Sequence, residues 1–235
     1  MVAEITRRLH NTRLFGPVSA DLLDRFARET IGRSYTSGEY LWHAGDAAAH
    51  FTVIQSGLVE IRRPTPSGEG AILGLFGPRE SVGDFAVLER GTYPADAIAI
   101  SETVEVLRVR ADAVLEALER DAELARAVRT SLMEHIRMLR TKIDVMSAGP
   151  VPSRLATLLM HLVDRFGDEL EDGTVSVAIA LSRGQLARLV GARTETVIRT
   201  MTKWQREGWV ETSNDGMRFR STEPLKSLME SPSGD

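Results

Sequence analysis

Between Leu181 and Met201 the chain encodes two short helices around a glycine, a pattern that few folds accommodate. Ser182 is a good helix N-cap, and Gln185 three residues later completes a capping box. Leu186, Leu189 and Val190 fall on one face of the helix that follows, and Gly191 stands where a C′ glycine ends it. The next helix carries Val197, Met201 and Trp204 inward at helical spacing. Thr194, Glu195 and Arg199 are left on its outer face near the N-terminus. Two helices in this relation are how a helix-turn-helix presents side chains to the DNA major groove.

The elements around this pair complete a winged domain. Ser153 to Phe166 is amphipathic, with Leu155, Leu158, Leu159, Leu162 and Val163 inward. Glu169 to Gly173 is polar and turn-like, and Val175 to Ile179 alternates as a short strand. Val210 to Phe219 reads as a hairpin around Asn214-Asp215-Gly216, which is the wing. The formal net charge of the chain is -4, which by itself argues against nucleic acid. Its distribution argues the other way. From Ser182 to Arg206 the cations are Arg183, Arg188, Arg193, Arg199, Lys203 and Arg206, with Glu195 the lone anion.

Upstream, Ser19 to Glu29 looks helical, with Leu22, Leu23 and Phe26 on one face. From about Gly38 to Val109 the pattern changes to short β-rich runs. These are Tyr40–Trp42, Phe51–Ile54, Leu58–Ile61, Ala71–Phe76 and Val104–Val109. Turn signals separate them at Ser37-Gly38-Glu39, Ala44-Gly45-Asp46, Ser56-Gly57 and Pro66-Ser67-Gly68. Many short strands at this spacing predict a small barrel or jelly roll.

Between the two halves, Ala111 to Leu118 opens a helical region and a longer helix runs from about Glu123 to Met146. Leu132, Ile136, Leu139, Ile143 and Met146 recur at spacings of four and three, a coiled-coil seam that asks for a second copy of the chain. The alternative is a helix packed only on its own barrel. The helix is expected to stop at the breaker cluster Ser147-Ala148-Gly149-Pro150. The expected class is therefore α+β. Residues 1–122 form a double-stranded β-helix (jelly-roll) sensor barrel with flanking helices. Residues 123–148 form a dimerisation helix, and residues 149–235 a winged helix-turn-helix.

Cysteine is absent, so neither a disulfide nor a thiolate-held iron–sulfur cluster is available. No secretory signal or bilayer-length apolar run stands out, so the expected location is cytoplasmic, with no membrane partner. No catalytic grouping is evident, and an enzyme is not expected. A cupin-type enzyme would need a close histidine pair and a carboxylate, whereas His43 and His50 have no third histidine nearby and no metal site is expected. A ligand-binding module whose C-terminal part lacks DNA specificity is the remaining alternative.

The chain resembles the Crp/Fnr family of bacterial transcription regulators over nearly its whole length. The likeness rests on Gly38, Gly45, Gly57 and Gly83 of the barrel and on the run Thr194-Glu195-Thr196-Val197-Ile198-Arg199. The resemblance implies a homodimer on an inverted repeat of double-stranded DNA, with half-sites about one helical turn (~34 Å) apart, and RNA polymerase as a further partner. Arg199 can donate twice to guanine and Glu195 can accept from cytosine N4, which would read a G·C step. An intrahelical ion pair between them is the structural alternative. Arg183, Arg188, Arg193 and Lys203 are assigned to phosphates. Cyclic-AMP-responsive members commonly carry arginine where Thr194 stands, so half-sites of the TTGAT type are expected rather than TGTGA.

The family's effector pocket maps onto Gly83, Asp84 and Phe85 at its opening and Pro94 and Ala95 at its close. Cyclic-nucleotide members close it with arginine and serine, and proline offers a phosphate neither charge nor N–H. They also place a hydroxyl residue on the dimer helix where this chain has Leu139. Cyclic AMP is therefore not expected, although a cyclic-nucleotide regulator stays as an alternative. Arg79, Arg90 or Arg129 are the substitute anion partners. Leu14-Phe15 and Tyr93 to Ala97 are similar to nitric-oxide-responsive members, which implies haem with a histidine ligand. Of His10, His43, His50, His135 and His161, the two to test are His135 and His10. A regulator without an effector is a further alternative.

Overall fold

The computed structural model describes residues 1–63 and 70–230. The chain divides into two units, Met1–Met138 and Leu139–Asp235. The turn expected at Pro66-Ser67-Gly68 lies outside the described residues.

The first unit opens with α1 (Val2–His10) and α2 (Ala20–Arg28). Then come β1 (Ile31–Thr36), β2 (Tyr40–Trp42), β3 (His50–Ser56), β4 (Val59–Arg63), β5 (Ala71–Phe76) and β6 (Ser81–Val82). A short α3 (Asp84–Leu88), β7 (Asp96–Ala99), β8 (Thr103–Arg110), α4 (Ala111–Leu118) and the start of α5 (Ala122–Ser147) complete it. The strands form two four-stranded sheets in the orders β1-β8-β3-β6 and β2-β7-β4-β5, every neighbouring pair antiparallel. This is the expected jelly roll. β8 pairs on both sides, and its register sets Val109 opposite Phe51 and Leu107 opposite Val53, all buried. Leu22, Leu23, Phe26 and Ala27 of α2 join the same core, as the apolar stripe requires.

Several elements escaped the sequence pattern for physical reasons. β1 is a sheet-edge strand, mostly exposed, with a glycine in second place and no apolar alternation. β6 is two residues long, and half of β7 is alanine, a weak strand former. Helices α1 and α3 and the terminal α9 (Glu223–Glu230) are further additions.

The second unit starts within α5. It continues with α6 (Val151–Phe166), β9 (Gly167–Glu169), β10 (Val175–Val177), α7 (Arg183–Val190), α8 (Thr194–Arg206), β11 (Glu211–Ser213), β12 (Gly216–Phe219) and α9. Helix α6 begins two residues before its expected start, with Pro150 as N-cap and Pro152 in the first turn, where a missing N–H costs nothing. Glu169, expected in a turn, instead ends a strand that pairs with β10. The strand order is β11-β12-β10-β9, so the wing hairpin extends a small antiparallel sheet. Leu155, Leu159, Leu186, Val190, Val197, Met201, Trp204 and Phe219 are buried in this unit.

Candidate nucleic-acid interface and effector pocket

Helix α7, which leads into the turn before α8, is fixed at both ends. Ser182 Oγ accepts from the Gln185 N–H at 3.1 Å, and Gln185 Oε1 accepts from the Ser182 N–H at 2.9 Å. Gly191 has φ +60°, the left-handed region that a side chain disfavours. A Cβ there would also come within 2.8 Å of the Met146 methyl. The carbonyls at the end of α7 are taken by two cations from other helices. Lys142 Nζ of α5 donates to Leu189 O at 2.5 Å, and Arg154 of α6 donates to Val190 O at 2.9 Å and Gly191 O at 3.3 Å. Cations belong at that end of the helix dipole. Burial pushes the Lys142 ammonium below its ordinary lysine pKa. Neither residue was legible as a helix cap, because each lies far from α7 in sequence.

Helix α8 starts after Arg193, whose backbone is extended (ψ 141°). Val197, Thr200, Met201 and Trp204 face the core, and Thr194, Glu195, Ile198 and Arg199 face out. Among the described residues, neither Glu195 nor Arg199 holds an ion pair or a side-chain hydrogen bond, so the intrahelical pair considered above is not formed. Both chemistries are open to an external ligand. The proposed phosphate contacts divide. Arg193 is exposed, and Lys203 is exposed with Glu207 at 3.9 Å. Arg188 is half-buried, with Nε enclosed and unpartnered. Arg183 is also half-buried, and its Nη2 donates to Thr212 Oγ1 at 3.0 Å and Gln205 Oε1 at 3.3 Å. Part of this guanidinium therefore ties α7 to α8 and the wing.

The exposed stripe of α5 comprises Met133, Ile136, Leu139, Ile143 and Met146, each between 43% and 64% exposed. Leu132, expected in this seam, instead packs partly buried against the jelly-roll core. Its neighbour Met133 faces out. The spacing alone left open which of two adjacent residues met the barrel.

In the first unit, two of the pocket positions, Asp84 and His135, share a polar cluster with Ser81 and Ser131. Gly83, at φ +82°, precedes α3, and a Cβ there would lie 2.7 Å from the Tyr93 ring and 3.2 Å from Trp42. Those two rings stack at 4.0 Å, and Trp42 Nε1 donates to Ala95 O at 3.0 Å. Burial pushes the Tyr93 hydroxyl up to about 12. Asp84 is 1% exposed. Its Oδ2 accepts from Ser81 Oγ at 2.5 Å and Ser131 Oγ at 2.8 Å, and Oδ1 is buried without a partner. His135 Nε2 lies 3.3 Å from Ser81 O, and its ring meets Phe76 edge-on. A carbonyl only accepts, so Nε2 is the protonated nitrogen. Phe85, Arg129, Leu139 and Pro94 are exposed and are not drawn into this cluster. Among the described residues no group of three or more histidines and carboxylates is placed to hold a metal.

Burial raises the Asp84 carboxyl above its ordinary range, and His135, Ser81 and Ser131 pull it part of the way back. The native state therefore holds this proton to higher pH than the unfolded chain does. Its stabilising contribution is complete below about pH 4 and is lost as pH rises toward the native pKa. Urea midpoints of the wild type are expected to fall over that range relative to Asp84→Asn, which does not titrate. Parallel curves for the two proteins contradict this.

Residues 32–121 match the cyclic nucleotide-binding domain, and residues 153–228 match the Crp-like helix-turn-helix domain. This chain belongs to the Crp/Fnr family. The CRP-like cAMP-activated global transcriptional regulator of Mycobacterium tuberculosis is 26% identical over 90% of this chain and 94% of its own length. The transcriptional activator protein anr of Pseudomonas aeruginosa is 28% identical over 81% of this chain and 76% of its own. The FixK2 structure from Bradyrhizobium japonicum superposes with a TM-score of 0.73 at 20% identity, covering 87% of this chain and 99% of that one. Crp/Fnr proteins are DNA-binding transcription regulators, not enzymes. Among the described residues no helix is long and apolar enough to cross a membrane.

Proposed function

We propose that this Crp/Fnr regulator acts as a cytoplasmic homodimer that reads an inverted repeat of TTGAT-type half-sites and signals to RNA polymerase. The observation that carries this reading is the outer face of α8. Glu195 and Arg199 are exposed and, among the described residues, uncommitted, on a helix whose turn is locked by Gly191, Lys142 and Arg154. An arginine fork and a carboxylate on one face suit the two bases of a G·C pair. The apolar stripe of α5 supports pairing with a second copy.

The effector reading rests on the pocket's chemistry. A cyclic nucleotide brings a phosphate, yet the closing pair is Pro94-Ala95, whose side chains offer neither charge nor donor, and the opening position is a buried carboxyl group. These residues do not fit that phosphate. Nor does His135 fit haem through Nε2, which donates to Ser81 O. His10 is exposed at the end of α1. The effector, in this reading, is another small molecule that acts by displacing Ser131 of α5 from Asp84. Such a ligand shifts the population between two dimer states through its different affinity for each.

A gel shift tests this. A palindromic TTGAT duplex is expected to be retained over a scrambled one. Affinity should fall by on the order of a thousandfold between ~50 and ~200 mM salt if roughly six phosphates are contacted. Cyclic AMP should leave retention unchanged. Equal retention of the scrambled duplex, or release of binding activity by cyclic AMP, contradicts the reading.

A further inference from the structure

Ile198 is a large apolar side chain left 46% exposed on α8, while the apolar residues on either side of it in the helical repeat, Val197 and Met201, are fully buried. Nothing in the packing of the second unit accounts for a β-branched hydrocarbon there, since Val197, Thr200, Met201 and Trp204 already complete the inner face. Helical geometry fixes its neighbours. At about 100° per residue, Ile198 lies about 60° to one side of Glu195 and Arg199 about 40° to the other. The three side chains therefore form one strip near the N-terminal end of α8, with the hydrocarbon at one edge. A strip that ends in a carboxylate and a guanidinium has hydrogen-bonding edges for a G·C pair, but Ile198 can neither donate nor accept.

The major groove presents one group that a hydrocarbon recognises, the 5-methyl of thymine. We infer that Ile198 is a specificity-determining residue that packs on the 5-methyl group of a thymine next to the G·C step read by Glu195 and Arg199. This rests on the DNA-reading function proposed above and adds a second base pair to the one that Glu195 and Arg199 read in each half-site. It also assigns that base pair by shape and apolar contact rather than by hydrogen bonds. Losing one methyl from such a contact corresponds to about a fourfold change in affinity. A symmetric duplex carries the contact twice, which gives about fifteenfold.

The test uses the full-length wild-type protein and duplexes that it recovers from a random pool. Each thymine is replaced in both half-sites by deoxyuridine, which removes only the methyl and keeps every hydrogen-bonding edge. One position beside the G·C step is expected to weaken wild-type binding about fifteenfold, and Ile198→Ala is expected to bind the thymine and uracil duplexes equally. Every substitution staying within twofold for the wild type overturns the inference while leaving the Glu195 and Arg199 reading intact. So does Ile198→Ala retaining the full thymine preference. If the pool yields no preferred sequence, the DNA-reading function falls together with the inference.

Discussion

Arg199→Ala is expected to lose at least about thirtyfold in affinity for a symmetric site, because each half-site forfeits roughly 1–3 kcal/mol of base discrimination. Arg199 is exposed and holds no partner among the described residues, so its removal is expected to leave no buried group unsatisfied and the fold intact. The loss should be confined to the G·C step. Exchanging that step for A·T in both half-sites should weaken the wild type strongly and the variant little, which a double-mutant cycle reads directly. The salt slope should stay nearly the same, since a base contact releases no phosphate counterions. Arg193→Ala should do the opposite, weakening all duplexes alike and flattening the slope by about one per half-site. An Arg199→Ala protein that keeps its full preference for G·C would remove the arginine from base reading.

The second large effect is on assembly. Replacing Leu139 and Ile143 together by glutamate is expected to convert the protein to a folded monomer with the DNA affinity of one half-site. These side chains are 55% and 64% exposed, so the isolated chain gives up little packing. In a dimer the stripe from Ile136 to Met146 would bury the remaining half of each side chain, at roughly 1 kcal/mol apiece from both copies. Two glutamates per copy near a two-fold axis replace that gain with like charges in a dry seam. Sedimentation equilibrium reads the assembly, and unchanged far-ultraviolet dichroism shows that the fold survives. A variant that stays dimeric at micromolar concentration would place the dimer contact elsewhere.

The local signals in the sequence were the reliable ones. The Ser182–Gln185 box, the Gly191 stop and the Asn214-Asp215-Gly216 turn each depend on residues a few positions apart, and the structure forms all three. The β-rich runs likewise fell on strands, apart from Leu58, which is buried one residue before β4. What was illegible depends on distant partners. Ser81 and Ser131 meet at Asp84 from positions 50 residues apart, and nothing about either serine marks it for that carboxylate. Arg183 reads as one more cation of a basic window until Thr212, 29 residues on, is folded against it. Leu132 fitted the seam by spacing, but a helix lying on a barrel has two apolar stripes side by side. Only packing decides that Leu132 belongs to one and Met133 to the other. Ile198 carries no mark of its own in the sequence, since an apolar residue on a helix signals a core face until packing leaves it outside.

Selection of bound duplexes from a random pool by the full-length protein tests most directly whether two copies each read a G·C step. The expected product is an inverted repeat whose half-sites each contain that step and lie about one helical turn (~34 Å) apart. Recovery of a single unrepeated element, or of half-sites in direct repeat, would contradict it.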